Sequence, residues 1–209
     1  MNDKEQEEIR DMVSGKKSVV VLAAGSSRRM GHPKYAMHFS EEQTFLSHIL
    51  EVYYRAGINR QIVVTGAGFD PVPARLPGRE ISVLENLNLR RGRSWSIRLG
   101  LEQTEGAVFI QNIDNPFVNP GLVMQMMTFL ADYDYVVPAY QGQGGHPVLL
   151  SEKAVAFLKD QLSSRKPLNI LLRELNRGVL KVEDPYVTAN INTRSDYLSY
   201  FGDFIFSDF

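Results

Sequence analysis

Residues 25–34 combine the residue types that bind a polyphosphate. The segment's glycines and serines offer backbone N–H groups, and its arginines and lysine provide positive charge. The apolar run at residues 19–24 precedes it, and such a short unbroken run is typical of a strand buried on both faces, as in a parallel sheet. Because open α/β sheets bind ligands outside the carboxyl ends of their strands, we expect this segment to hold a phosphate-rich ligand.

Three common glycine motifs do not fit this segment. It lacks the Gly-Lys-Ser/Thr ending of the ATPase phosphate loop, and no Gly-x-Gly-x-x-Gly follows the strand, as dinucleotide binding would require. A nucleophile elbow needs Gly-x-Ser-x-Gly, and Arg29 stands at the position of its second glycine. A different kind of phosphate-binding loop is therefore indicated.

The string LAAGSSRRMGHPK, residues 22–34, resembles the signature L-A-A-G-x-S-x-R-M-G-x-x-K of the molybdenum-cofactor (MobA/MocA-like) family of nucleotidyltransferases. The resemblance implies that Arg29 and Lys34 are catalytic and neutralise the triphosphate and the departing pyrophosphate. It also implies that the loop residues bind the nucleotide, namely Leu22, Ala23, Ala24, Gly25, Ser26, Ser27, Arg29 and Lys34. Arg28 falls at a variable position of the signature and is left out of the catalytic set. An ordinary solvated basic turn is the alternative for these cations.

A second segment, NLNLRRGRSWSIRLGL at residues 86–101, resembles the family pattern N-x(5)-G-x-x-x-S-x-x-x-G-L. The resemblance implies that Asn86 and Ser96 line the nucleotide pocket and help to read the base. The alternative is a loop followed by a helix, with Ser94 or Ser96 as the N-terminal cap of that helix.

Asp114 is the predicted metal ligand. Together with Pro116 and Val118 it resembles the D-x-P-x-V of the family at the end of the central strand. A triphosphate requires Mg²⁺, a hard cation that takes oxygen ligands and keeps several waters. The resemblance therefore implies that Asp114 binds Mg²⁺ and the nucleotide and is catalytic. The alternative is an aspartate that turns the chain ahead of the proline.

Gly145, His146 and Pro147 are predicted to bind the acceptor. They resemble the Gly-His-Pro segment that faces the acceptor substrate in the cytidylyltransferase branch of the family. A histidine with a purely structural role is the alternative. The glycines and the proline around His146, at the expected start of a strand, favour the pocket role.

Asn190 and Asn192 are also predicted to face the acceptor. The cytidylyltransferase branch typically has D-x-D-T-P-x-D at this place, and the guanylyltransferase branch is similar to N-x-N-T-P-x-D. The two asparagines take negative charge away from a second metal contact. Thr193 and Asp196 in the same segment fit a helix-capping pair better than a ligand-binding role.

The resemblance implies Mg²⁺-dependent transfer of a nucleoside monophosphate from a nucleoside triphosphate to a phosphorylated acceptor, with release of pyrophosphate (EC 2.7.7 type). Ala24 favours CTP over GTP as the donor, because the guanylyl branch usually has a second glycine there, and the Gly-His-Pro segment agrees. Asn190 and Asn192 indicate GTP instead. Molybdopterin is the family's best-known acceptor, and sugar phosphates, phosphocholine and methylerythritol phosphate stay open.

Two other functions are considered. One is a non-catalytic nucleotide- or cofactor-binding module, such as a chaperone that hands molybdenum cofactor to an acceptor enzyme. The aromatic residues at 201–209 would then dock that partner, although packing of these residues on the sheet is the preferred interpretation. The other is a sugar-nucleotide glycosyltransferase, which would normally need a D-x-D. The only such string, Asp132-Tyr133-Asp134, falls at a predicted helix end, away from the strand-edge site.

Composition sets the wider limits. The 209 residues contain no linker-like stretch and are expected to form one nucleotidyltransferase domain over 1–209, with a short polar extension at 1–16 and an aromatic tail at 202–209. The absence of cysteine excludes disulfides and thiol catalysis. A net charge of −1 gives no support to a nucleic-acid or membrane partner. The charged start of the chain excludes a signal peptide, so a cytoplasmic location is expected.

Predicted strands and helices alternate along the chain. The strands are expected at residues 19–24, 60–65, 81–84, 107–111, 135–139, 146–150 and 179–182, and the helices at 2–13, 44–56, 94–103, 119–131, 151–162, 167–176 and 194–200. This order predicts an α/β three-layer sandwich around a mainly parallel, Rossmann-like sheet. The resemblance implies the nucleotide-diphospho-sugar transferase type of that fold.

Overall fold

The centre of the protein is a mainly parallel β-sheet. The computed structural model describes residues 15–25, 27–68, 78–161 and 166–202, and within them eight strands form one sheet. The strands are β1 (Lys17–Ala23), β2 (Arg60–Thr65), β3 (Glu80–Glu85), β4 (Ala107–Asn112), β5 (Tyr135–Tyr140), β6 (Gln143–Gly144), β7 (Val148–Leu150) and β8 (Arg177–Lys181). Their order is β3-β2-β1-β4-β7-β5-β6, and β8 pairs with β5.

Strand β1 lies in the middle of the parallel part of the sheet. It pairs in parallel with β2 on one side and β4 on the other, and β3 is parallel to β2. β7 is antiparallel to both β4 and β5, so β5 and its parallel partner β8 run in the direction of β1. The chain winds outward from β1 through β2 to β3 and then returns to β4 on the opposite side. The strand order therefore reverses between β1 and β4.

Helices cover both faces of this sheet. They are α1 (Phe45–Arg55), α2 (Arg93–Glu102), α3 (Pro120–Phe129), α4 (Glu152–Gln161), α5 (Leu168–Leu171) and α6 (Arg194–Phe201). One core contains side chains of α1, α3 and α6, and the other contains side chains of α2, α4 and α5. Val19 and Val21 of β1 face the first core, whereas Val20 and Leu22 face the second. This alternation confirms the three-layer α/β sandwich and the strand buried on both faces.

Two predicted helix starts are confirmed by their caps. The backbone N–H of Leu122 donates to Asn119 Oδ1 at 2.9 Å, and Pro120 follows as the first helical residue. Thr193 and Asp196 form a capping box at the start of α6, in which each side chain accepts from the other residue's backbone N–H. These local hydrogen bonds explain why the sequence predicts the starts of both helices correctly.

Two predicted elements differ from the structure. The prediction of one helix over residues 167–176 is only partly correct. After α5 the chain forms a 3₁₀ turn (Leu172–Glu174), and it then extends into β8, which pairs with β5. Gly178 lies within β8, where a Cβ atom would come 2.6 Å from the Tyr133 ring. The strand expected over 146–150 begins only at Val148. His146 therefore lies in the connection before the strand.

Some predictions lie outside the described residues. They concern the helix at 2–13, the tail at 203–209 and Ser26. The division into a polar extension, a single domain and a tail stays a prediction. Within the described ranges, no helix combines the length and the apolar character that a bilayer crossing needs.

Candidate active site

A cleft of about 510 Å³ lies at the carboxyl ends of β1 and β4, where the strand order reverses. Open α/β sheets bind their ligands at this kind of position. Most of the predicted site residues line the cleft: Leu22, Ala24, Gly25, Ser27, Arg29, Lys34, Asn86, Ser96, Asp114 and Asn192. Among the described residues, its charged lining consists of the cations Arg28, Arg29, Lys34 and Arg93 and the carboxylate of Asp114. Such an excess of positive charge suits a polyanionic ligand.

The loop after β1 is a tight turn held by Ser27. This residue has a positive φ of 46°, and its carbonyl accepts from the backbone N–H groups of Met30 and Gly31 at 2.9 and 3.1 Å. The Ser27 hydroxyl accepts from the backbone N–H of Lys34 at 3.2 Å. The side chain of Met30 is buried and anchors the turn to the core. Arg29 stays exposed and lines the cleft.

Gly25 is not required by the protein's own packing. A Cβ atom at this position would meet no heavy atom within 4 Å. The residue is exposed at the end of β1 and lines the cleft. A glycine without a packing reason, at a loop that faces a cleft, favours close approach of a ligand to the backbone.

Lys34 connects three of the predicted segments. Its Nζ atom lies 2.9 Å from Asn192 Oδ1 and 3.5 Å from Asp114 Oδ2. The side chains of Lys34 and Asp114 are 13% and 27% exposed, so the ion pair is largely withdrawn from water but still open to the cleft. The ammonium group of Lys34 thus brings together the loop after β1, the end of β4 and the segment before α6.

The same oxygen atoms would suit a magnesium ion. Asp114 and Asn192 present two hard oxygen donors on the cleft side, and they already attract a cation, the Lys34 ammonium. Mg²⁺ is commonly held by one or two carboxylates together with phosphate oxygens and water. The donor set therefore fits the predicted ion, while the metal role of Asp114 stays a prediction.

Asn86 and Ser96 are buried against each other at the back of the cleft. The Asn86 amide donates to Ser96 Oγ at 2.9 Å, and Asn86 Oδ1 accepts from the backbone N–H of Asn88 at 2.8 Å. Helix α2 begins at Arg93 after Gly92, which has a φ of 74°. The alternative that Ser94 or Ser96 caps this helix is therefore wrong. The pair instead fixes the loop between β3 and α2 to that helix.

Arg93 and Asn112 line the cleft but were absent from the predicted set. One Arg93 Nη atom donates to Asn112 Oδ1 at 2.7 Å, and Asn112 Nδ2 lies 3.0 Å from His146 Nε2. Because a guanidinium can only donate, it orients the Asn112 amide with its nitrogen toward His146. His146 must then accept at that nitrogen. The arginine-rich run at residues 90–93 was the available signal for this contact.

The environment of His146 agrees with a neutral ring. Burial, together with the positive charge of Arg93, lowers the pKa of His146 to about 4, and the negative charge of Asp114 opposes the shift. At neutral pH the imidazole therefore adds no charge to the site. His146 is connected to the cleft by its contact with the side chain of Asn112, which lines the cleft.

Several predicted residues lie elsewhere. Ala23 is buried in the core on the α1 side. Gly145 packs so closely on the Val187 carbonyl that a Cβ atom would overlap it, and Pro147 is buried behind it. Asn190 is exposed, and its amide donates to the Thr188 carbonyl at 3.2 Å. Of the two asparagines, Asn192 alone is among the residues that line the cleft.

Asp196 positions Asn192. Its carboxylate accepts from the backbone N–H groups of Asn192 and Thr193, both at 2.8 Å. The hydrogen bond from Asn192 is the largest cause of the lowered pKa of Asp196. The capping interpretation of this residue is therefore confirmed, and its Oδ2 atom accepts both hydrogen bonds at the helix start.

The strand order, together with the tight turn that follows β1, defines the nucleotidyltransferase fold. The chain belongs to the MobA-like NTP transferase domain family, whose family model matches residues 19–179.

Curated relatives cover most of this chain at low identity. A probable molybdenum cofactor guanylyltransferase from Methanosarcina mazei is 27% identical over an alignment of 205 residues, which covers 89% of this chain and 90% of that protein. The bifunctional protein GlmU from Alkaliphilus metalliredigens is 25% identical over an alignment of 202 residues, which covers 88% of this chain and 43% of GlmU. This chain therefore spans less than half the length of that relative.

Solved structures share the fold. Rv0371c from Mycobacterium tuberculosis H37Rv matches with a TM-score of 0.73 at 24% identity, over 88% of this chain and 97% of that chain. The complex of Rv0371c with manganese matches with a TM-score of 0.69 at 22% identity, over the same shares of the two chains.

Proposed function

We propose that this protein transfers a nucleoside monophosphate from a nucleoside triphosphate to a phosphorylated small molecule and releases pyrophosphate. The observation that carries the proposal is the convergence of Asp114 and Asn192 on Lys34, beside a glycine-containing turn in a positively charged cleft. A triphosphate needs these elements together: N–H donors, cations and an oxygen ligand for its metal.

Catalysis would rest on positioning and charge rather than on a protein nucleophile. The turn that follows Gly25 would hold phosphate oxygens through its backbone N–H groups. Arg29, with its planar fork of donors, and Lys34, a point charge, would neutralise the β- and γ-phosphates and the departing pyrophosphate. An oxygen of the acceptor phosphate attacks the α-phosphorus in line, and the bond to the pyrophosphate oxygen breaks. Holding both reactants in this geometry accounts for much of the expected rate enhancement.

Mg²⁺ is the proposed cofactor. Asp114 would be its protein ligand, with Asn192 Oδ1 next to it. When bound, the ion would withdraw negative charge from the phosphate oxygens and hold the reacting groups in place. Lys34 would then exchange its contact with Asp114 for a contact with the phosphates. Among relatives of this fold, the manganese complex of Rv0371c is consistent with a divalent ion.

Two donors are supported by different observations. Ala24, at a position where the guanylyl branch usually has glycine, favours CTP, which is the donor we propose first. The relative from Methanosarcina mazei is named a guanylyltransferase and covers nearly the whole chain, which favours GTP as the alternative. Molybdopterin is the first acceptor to test, because the name of the same relative refers to the molybdenum cofactor. Other small phosphates are the alternative acceptors.

The glycosyltransferase alternative has no support in the geometry. Asp134 lies at the amino end of β5, at the sheet edge opposite the cleft. Its carboxylate accepts from the Asn176 backbone N–H at 2.9 Å and pairs with Lys153 at 2.9 Å. These contacts give the D-x-D string a structural role.

Calorimetric titration with CTP, GTP, ATP and UTP in the presence of Mg²⁺ tests the proposal. We expect one nucleotide to bind well only with the metal, and Asp114→Asn to abolish this dependence on the metal. Glu183→Gln, which removes an exposed carboxylate outside the cleft, is the control for the change in charge. If no nucleotide binds, the transferase proposal fails and a non-catalytic cofactor-binding or chaperone role takes its place.

A further inference from the structure

The proposed triphosphate contacts leave two cations of the cleft unused, Arg28 on the triphosphate loop itself and Arg93 on a separate element. Arg93 is the first residue of α2, and its guanidinium lines the cleft beside Asn112. Arg29 and Lys34 already account for the β- and γ-phosphates. A guanidinium offers five N–H donors in a planar fork, which suits a phosphate group. Arg93 therefore calls for an anionic ligand group of its own.

Arg93 and Lys34 reach the site from opposite layers of the sandwich. Lys34 belongs to a 3₁₀ turn (Lys34–Ala36) that packs with α1, whose side chains form the first core. Arg93 begins α2, whose side chains Ile97 and Leu101 form the second core. The end of β4, with Asn112 and Asp114, lies between these layers. Each layer therefore contributes a cation to the cleft.

In-line displacement needs charge neutralisation on two sides of the reacting phosphorus. The attacking and leaving oxygens lie roughly opposite each other, so the acceptor phosphate and the departing pyrophosphate occupy different sides of the site. If Lys34 serves the leaving side, the cation of the opposite layer is placed to serve the attacking side. The hydrogen-bonded connection from Arg93 through Asn112, at the end of β4, leads to His146 ahead of β7, and β7 lies on the side of β4 away from β1 and its loop. That direction agrees with an acceptor position.

We propose that Arg93, held in place by Asn112 and His146, binds the phosphate monoester group of the acceptor. This inference rests on the proposed transferase function and deepens it by assigning a subsite for the second substrate. Asn112 and His146 are positioning residues in this arrangement. Asn112 holds the guanidinium through its carbonyl oxygen at 2.7 Å, and the Asn112 amide nitrogen is held in turn by its contact with His146 Nε2 at 3.0 Å. The subsite predicts that the acceptor carries a dianionic phosphate.

The experiment uses phenyl phosphate as the probe. The protein is first saturated with Mg²⁺ and the α,β-methylene analogue of the nucleotide that it binds, and phenyl phosphate is then titrated calorimetrically. We expect Arg93→Gln to weaken phenyl phosphate binding about 10- to 100-fold, as expected for a lost charged hydrogen bond, and to leave nucleotide affinity within about twofold. Arg93→Lys should restore part of the binding, because a point charge replaces the fork. If Arg93→Gln fails to fold, Arg93→Lys provides the comparison with the parent instead.

Arg91→Gln is the matched control. Arg91 is two residues away and exposed, and its guanidinium stacks on the Trp95 ring at 3.8 Å, outside the cleft lining. Arg91→Gln should change neither the affinity for the nucleotide nor the affinity for phenyl phosphate. Phenyl phosphate binding that is absent from the parent, or equal in the parent and both Arg93 variants, overturns the subsite. A larger loss of nucleotide than of phenyl phosphate affinity also overturns it and assigns Arg93 to the donor. If the parent binds no nucleotide at all, the transferase function itself is what fails.

Discussion

The ammonium group of Lys34 lies 3.5 Å from a carboxylate oxygen of Asp114, across the floor of the cleft. The two residues are 80 positions apart, and the amide oxygen of Asn192 holds the same ammonium from a third segment. Because both side chains are mostly withdrawn from water, each depends on the other for charge compensation. Loss of either charge would therefore leave the other charge uncompensated in the cleft.

Replacing Lys34 is expected to remove transfer activity while the fold is kept. In Lys34→Gln the amide can still donate to Asn192 or Asp114, but the charge that would stabilise the phosphates is lost. We expect kcat to fall by about 10²- to 10³-fold, which is the usual cost of one charge-stabilising donor. Steady-state kinetics with the nucleotide identified by calorimetry would measure the change. Lys181→Gln, at an exposed site on β8, is the control, and equal activity of the two variants would contradict the role of Lys34.

A carboxylate at position 192 is expected to strengthen metal binding. Asn192→Asp places a second negative charge beside Asp114 on the cleft side, so Mg²⁺ affinity in the presence of nucleotide should rise by several fold. Asn190→Asp makes the same chemical change two residues away, at an exposed position bonded to the Thr188 carbonyl. It should leave Mg²⁺ affinity unchanged. Titration of Mg²⁺ at fixed nucleotide compares the variants, and an equal response of both would argue against the metal position.

Two glycines should respond to alanine in opposite ways. At Gly100 in α2 a Cβ atom would overlap the Val20 side chain of β1, so Gly100→Ala should destabilise the protein by about 1–3 kcal/mol through overpacking. At Gly25 a Cβ atom would meet no protein atom within 4 Å. Gly25→Ala should therefore keep the melting temperature of the parent but weaken nucleotide binding. Thermal unfolding and calorimetry on both variants provide the test, and a melting temperature lowered equally in both would be the contrary result.

His146 should make the protein less stable at mildly acidic pH. Burial and the nearby Arg93 lower the pKa of His146 from 6.5 to about 4, against the opposing charge of Asp114. Between these values the unfolded chain binds a proton at this residue that the folded chain does not. The free energy of unfolding therefore falls as the pH drops from 6.5 toward 4, by at most about 1.4 kcal/mol per pH unit from this group.

Urea unfolding of the parent and of His146→Gln at pH 7 and pH 5 isolates this contribution. The parent should lose more stability than the variant between the two values. The pKa of His48 is also lowered by burial, so a shared part of the slope is expected in both proteins. Identical slopes would mean that His146 titrates normally in the folded state.

The sequence by itself determined the layers, the tight loop after β1 and the caps. Apolar runs such as Val19–Val21 require burial on both faces, and turn residues such as Gly25 act locally, so these features depend on neighbours within a few positions. The capping pair Thr193 and Asp196 is a local feature too, because its hydrogen bonds span only three residues. For this reason the fold class and the place of the cleft follow from patterns alone.

The contacts inside the cleft were decided by the tertiary structure. Arg93, Asn112 and His146 come from separate segments, and no local rule predicts that a donor-only guanidinium will orient an amide toward a histidine. Likewise, Asn190 and Asn192 look equivalent in the sequence. Asp196 holds the backbone of Asn192 toward Lys34, whereas Asn190 stays outside. Such choices depend on strand order and on which layer each helix joins, so they require the assembled sheet.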